Sequence, residues 1–116
     1  MVEVWGLKNC DTCRKALAWL KDEGIAHIFR DVRADGLDRA ALKAWIGELG
    51  WEALVNTRGT TWRGLPEAER EGLDAARAHA LILAHPAVMK RPVFDLGERR
   101  LVGFKGAEQA ALRAAG

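Results

Sequence analysis

Cysteine is scarce in this chain: Cys10 and Cys13 are the only two among 116 residues. A chain of this length builds an ordinary core without disulfide staples, and a single pair offers no framework of bridges. Structural zinc takes about four ligands from Cys and His. No second CxxC occurs, and His27, His79 and His85 stand alone with no HxxxH spacing, so no metal is expected. Long apolar runs are missing too. Nothing approaches the roughly 20 residues that span a bilayer, and the opening Met1-Val2-Glu3-Val4 does not read as a signal peptide. No membrane association and a cytoplasmic location are therefore expected, where reducing conditions favour a catalytic pair over a structural bridge. The 18 Lys and Arg are spread among 16 Asp and Glu, a formal charge of +2. Without a basic tract there is no electrostatic case for direct nucleic-acid binding. No repeat or low-complexity linker breaks the chain, and one domain over residues 1–116 is the economical reading.

The pattern that remains alternates strands and helices and then becomes helical. Val2, Val4 and Trp5 are β-prone and end at Gly6, so residues 2–5 are expected to form a strand. Cys13, Ala16, Leu17 and Leu20 follow the i, i+3, i+4, i+7 rule up to a stop at Gly24, which predicts an amphipathic helix. Residues 25–30, IAHIFR, form a second strand, and the β-α-β order implies a parallel pair with a right-handed crossover. Asp38 caps a helix burying Leu42, Trp45, Ile46 and Leu49, with a further helical turn over 51–55. After the polar loop NTRGTTWRG, Pro66 suits the first turn of a helix, and Asp74 caps another that stops at Pro86. Residues 92–95 and 100–103 read as a hairpin turning at LGER, and an Ala-rich helix bearing Leu112 follows Gly106.

Cys10 thus sits where the first strand meets the first helix, with Cys13 one turn inside. Helix N-terminal N–H groups and the positive end of the macrodipole stabilise an anion, so a thiol placed there loses its proton readily. Lys8 and Arg14 add positive charge and Asp11 opposes it. Cys10 is the expected nucleophile. The i, i+3 spacing brings Cys13 to the same side, where it either resolves a mixed disulfide at Cys10 or simply packs in the core.

The order β-α-β, helices, β-β-α, with CxxC at the first strand-helix junction, resembles the thioredoxin fold. The expectation is an α/β, thioredoxin-like fold: a four-stranded mixed sheet with a helical insertion, about 38–86, between strands 2 and 3. That fold carries a cis-proline beside the active site at the start of the third strand, a place that Pro92 alone fits. More specifically, WGLKNCDTCRKALAWL, ELGWEALVNTRGTTWR and KRPVF together resemble the ArsC-like branch of the thioredoxin superfamily, which holds glutaredoxin-like arsenate reductases, Spx-type RNA polymerase regulators and YffB-like proteins. The likeness covers essentially the whole chain, and LGWEALVNTRGTTWR is most similar to the YffB-like group.

What the resemblance implies is carried over residue by residue. Arsenate reductases surround a nucleophilic cysteine with three arginines. Cys10 matches the nucleophile, Arg58 in NTRG the first arginine, and Arg91 before Pro92 the second. The third falls near Gly103, and Lys105, two positions on, is not an equivalent bidentate donor. A tetrahedral oxyanion would thus lack one clamp. Arg58 or Arg91 could hold a glutathione carboxylate or lower the thiol pKa. The expectation is a glutathione-dependent thiol-disulfide oxidoreductase using Cys10 and Cys13, with Arg58, Arg91, Pro92 and Lys8 at the substrate. Glutathione is the co-substrate and no cofactor is bound. The rival implied by the Spx-type proteins is a redox-sensing regulator that binds the RNA polymerase α subunit. Arsenate reductase is the third alternative. Of the tryptophans, most are expected in the core, with Trp62 in the polar loop singled out for ligand contact.

Overall fold

The computed structural model describes residues 1–115. They divide into two compact units, one of Met1–Asp35 with the chain from Arg91 onward, the other Gly36–Lys90.

In the first unit, β1 (Val2–Gly6) pairs parallel with β2 (His27–Asp31) and antiparallel with β3 (Val93–Asp95), which pairs antiparallel with β4 (Arg100–Val102). The sheet order is β2-β1-β3-β4, so the mixed four-stranded sheet expected from the sequence is present. Helix α1 (Asp11–Asp22) is the crossover between the parallel strands. Its Ala16 and Leu20 bury with Val2, Val4, Phe94 and Leu101 of the sheet and with Leu112 of the last helix, Gly106–Ala115, called α7 below. At the rim Trp19 meets Phe104 edge-on at 5.5 Å, and Arg113 lies over the Trp19 ring at 5.1 Å while bonding Glu23 at 2.7 Å.

The second strand starts two residues later than the apolar pattern suggests and runs one residue further. The cause is how α1 ends. Gly24 adopts φ 69°, its N–H bonds Lys21 O, and the Ile25 N–H bonds Leu20 O at 3.0 Å. This is the two-bond left-handed cap, with the usual apolar contact between the residue beyond the glycine and the last turn. Ile25 is consumed in closing the helix, so its backbone is withheld from the sheet.

The second unit is helical: α2 (Arg39–Leu49), α3 (Trp51–Leu54), α4 (Thr60–Arg63), α5 (Glu67–Arg70), α6 (Ala75–Ala84) and a 3-10 turn Pro86–Val88. Asp38 and Asp74 cap α2 and α6, accepting from Ala41 N at 2.9 Å and Arg77 N at 2.8 Å, as the sequence indicates. Leu42, Trp45, Ile46, Leu54, Ala78 and Ile82 are buried there. Residues 54–56 pair with 88–90 through Asn56 N to Val88 O (2.8 Å) and Lys90 N to Leu54 O (2.7 Å). Two local expectations need correction. Part of the polar NTRGTTWRG loop coils into α4, where Arg63 N bonds Gly59 O at 3.2 Å. Pro66 stands just before α5 as its cap, with ψ 145°, because that helix is a single turn beginning at Glu67. The tryptophans are also less buried than expected. Trp45 is in the core, while Trp5, Trp19, Trp51 and Trp62 are only partly covered, in keeping with a ring too large to be fully enclosed easily.

Candidate active site

Strand β1 delivers the chain to the site, and α1 with its N-cap holds the two cysteines. Cys10 is the N-cap of α1, with extended φ −103° and ψ 122°, and its carbonyl accepts from Arg14 N at 3.0 Å. Its own N–H closes a turn on Leu7 O at 3.3 Å. Both thiols are free; Cys10 is partly exposed and Cys13, in the first turn of α1, is buried. The Cys10 sulfur closes no full capping bond, yet its surroundings favour an anion. Partial burial pushes its pKa up, but the Cys13 N–H, the Arg91 guanidinium as donor and as charge, and the Cys13 thiol outweigh that and hold it below the ordinary value. Cys13 goes the other way. Burial pushes it up to about 12, with the Leu7 N–H opposing and the neighbouring Cys10 adding to the rise.

Cys13 reaches this position because β1 ends in glycine. A Cβ at residue 6 would collide with Cys13 Sγ, so only a bare backbone lets the sulfur lie against the strand. Gly6→Ala is accordingly expected to lower stability by about 1–3 kcal/mol through overpacking. Urea midpoints of Gly6→Ala, Cys13→Ala and the double variant check it: the double variant should lose less than the two single losses added together, and strict additivity would show that the clash is relieved elsewhere.

One carboxylate bonded to the segment that leads to Cys10 is not singled out by the sequence pattern. Asp31, the last residue of β2, is 5% exposed. Its Oδ2 accepts from Lys8 N at 3.0 Å, and its Oδ1 from Arg33 N and Ala34 N, both at 2.8 Å. The Ala34 N–H is the strongest influence on it; despite burial, that bond, those from Lys8 and Arg33 and the charge of Lys8 hold its pKa below the ordinary 3.8.

A family model described as the ArsC family matches residues 5–112. The chain belongs to the ArsC family. An uncharacterized protein of Haemophilus influenzae is 42% identical over 96% of this chain and 97% of its own length. The regulator Spx 2 of Bacillus cereus is 31% identical over 93% of this chain and 83% of its own. Among solved structures, a YffB protein superposes with a TM-score of 0.91 at 46% identity, covering 97% of this chain and 98% of the other. An arsenate reductase related protein from Brucella melitensis superposes with a TM-score of 0.77 at 45% identity, covering 95% and 92%. The fold is the thioredoxin-like α/β fold of the ArsC branch.

Within this ArsC-family chain, the structure brings together Cys10, Cys13 and Arg91, and Pro92 follows Arg91 in the chain. The Arg91–Pro92 peptide is cis, and Pro92 O accepts from Gly103 N at 2.9 Å. Position 103 therefore adjoins Pro92 but carries no cation, and its φ of 93° suits glycine rather than an arginine. Lys105 is exposed just before α7. Lys8 enters the site through its backbone: its N–H meets Asp31, its carbonyl accepts from Arg14 Nε at 3.1 Å, and its charge acts on Asp31. Arg58 belongs to the second unit, where it is exposed and its N–H donates to Asn56 Oδ1 at 3.0 Å. Trp62 lies in α4 of the same unit. No group of three or more His, Cys, Asp or Glu among the described residues is placed to hold a metal ion. No helix among them is long and apolar enough to cross a membrane.

Proposed function

We propose that this protein is a thiol-disulfide reductase of the cytoplasm in which the Cys10 thiolate is the nucleophile and glutathione the co-substrate. The observation that carries the reading is the partly exposed Cys10 at the N-terminus of α1, with the Cys13 N–H and the Arg91 guanidinium holding its pKa down against partial burial. Cys10 attacks one sulfur of a disulfide R–S–S–R′. The Cys10–S–S–R bond forms as the old S–S bond breaks, and R′–S⁻ leaves with the electron pair and picks up a proton from water. Glutathione thiolate then displaces R as a thiol, and a further glutathione frees Cys10, so glutathione is oxidised to its disulfide as the substrate is reduced. The high pKa and burial of Cys13 support glutathione rather than Cys13 as the resolving thiol. Arg91, which donates to the thiol, is the group for a glutathione carboxylate, with Lys8 as a further candidate and Pro92 shaping the wall. A disulfide is favoured over arsenate because Gly103 leaves a tetrahedral oxyanion without its third arginine.

A Cys13→Ser variant incubated with glutathione disulfide tests this. Mass mapping should find a single glutathionyl adduct, at Cys10, that free glutathione removes. Failure of Cys10 to accept glutathione would sink the reading. The second reading, a redox-sensing regulator that binds the RNA polymerase α subunit, draws on the CxxC pair and on the relative named Spx 2. Co-purification of the α subunit with the oxidised protein, without disulfide turnover, would favour it.

A further inference from the structure

We propose that Asp31 is the positioning residue for the Cys10 thiol, anchoring the segment Lys8–Asn9–Cys10 through the Lys8 amide. The inference rests on the reading of Cys10 as the nucleophile and adds what keeps it in place. Asp31 pairs with Gly6 in the parallel ladder, and Val32 N bonds Gly6 O at 2.9 Å, so β2 fixes the carboxylate at the point where β1 ends. From there its Oδ2 takes the Lys8 N–H at 3.0 Å while Arg14 Nε, from α1, takes the Lys8 carbonyl at 3.1 Å. The two peptide groups that flank Lys8 are thus held, one from the second strand and the other from the first helix. Two residues further on is the reactive sulfur.

A buried carboxylate is costly unless hydrogen bonds meet it, and here the backbone N–H groups of Lys8, Arg33 and Ala34 do so. The acceptor count explains why the residue is Asp. Its oxygens divide the work, Oδ1 closing the turn after β2 and Oδ2 reaching across the sequence to Lys8. Asparagine has only one acceptor oxygen. The charged groups around this arrangement are Lys8 and Asp35 at Asp31, the latter accepting the Asp31 N–H at 2.8 Å, and Arg91, Arg14 and Asp11 around Cys10. The influences that favour the Cys10 anion act at hydrogen-bond range and weaken steeply with misalignment. Loosening the Lys8 peptide lets the sulfur drift from them.

Asp31→Asn separates the two jobs. Its amide oxygen keeps the Arg33 and Ala34 bonds, and its NH2 faces the Lys8 N–H, donor against donor. The pH midpoint of Cys10 alkylation by iodoacetamide should rise by roughly half a unit to one unit, and labelling at neutral pH should slow by about threefold to tenfold. A purely electrostatic role predicts the opposite sign, because deleting an anion makes a nearby thiolate easier to form. A merely structural role lowers the thermal midpoint and leaves the pH midpoint alone. Either of those outcomes overturns the proposal. Wild-type protein gives an independent check even where the variant does not fold: the Lys8 amide should exchange slowly with deuterium, and exchange at the rate of an open loop overturns the anchor. If wild-type Cys10 is itself unreactive, the nucleophile reading fails; if it is reactive and Asp31→Asn leaves it unchanged, the anchor alone fails.

Discussion

Brief exposure of the folded protein to iodoacetamide at neutral pH should place the label on Cys10 and leave Cys13 unmodified. Alkylation proceeds through the thiolate, so selectivity follows ionisation and access together. Cys10 is partly exposed with its pKa held below the usual 9.0, whereas Cys13 is 1% exposed with its pKa pushed up to about 12. The two thiols are shifted in opposite directions, so Cys13 is ionised far less often than Cys10 at neutral pH, before its burial is counted. The labelling rate of Cys10 should rise with pH to a midpoint below 9.0. Cys13 should react only on unfolding or near pH 12. Mass mapping of digested protein reads both sites at once, and preferential labelling of Cys13 in native protein would reverse the assignment. Stability carries the matching sign. A thiol whose folded pKa is raised contributes fully below its unfolded value and loses that contribution as pH climbs toward the folded one. Cys13 therefore weakens the fold between about pH 9.0 and 12, and Cys13→Ala should flatten that part of the stability profile.

The thiol pair was legible in the sequence because both of its coordinates are local. The β-prone run ending at Gly6 and the helical spacing from Cys13 to Leu20 put Cys10 at a junction without knowledge of any distant residue. Arg91 was legible only through its place before Pro92 in a recognisable fold, since nothing in KRPVF by itself says which thiol it faces. Asp31 was not legible at all. An aspartate after an apolar strand looks like any solvated strand end, and its burial follows from the turn Arg33–Ala34 folding back and from Lys8, 23 residues away, donating to it. The backbone role of Lys8 is hidden for the same reason: its N–H and carbonyl are held by Asp31 and Arg14, partners that the residue type does not announce. The closing cap of α1 shows the limit of hydrophobic pattern, because Ile25 reads as strand and its N–H is spent on Leu20.

Arg91→Ala is expected to raise the Cys10 pKa by about one unit, which corresponds to roughly 1.4 kcal/mol or a tenfold change in ionisation. The guanidinium acts on the sulfur in two ways, donating a hydrogen bond and contributing its charge, and both favour the thiolate. Alanine removes both, while the Cys13 N–H remains to lower the pKa and partial burial to raise it. The pH midpoint of Cys10 alkylation should therefore move up, and labelling at neutral pH should slow accordingly. Cys13 shifts in the same direction, since Arg91 also lowers its pKa, so the variant does not expose a competing nucleophile. Arg91→Lys separates charge from geometry: an ammonium restores part of the electrostatic effect but not the planar fork, and should recover part of the shift. Affinity for glutathione should fall with Arg91→Ala if the same cation holds a carboxylate of the co-substrate. The fold should persist, because Arg91 is only partly buried and the neighbouring Val93 and Phe94 supply the apolar contacts of β3. A folded Arg91→Ala protein with unchanged Cys10 reactivity and unchanged glutathione affinity would remove Arg91 from the site, leaving the helix terminus and the Cys13 thiol to account for the thiolate.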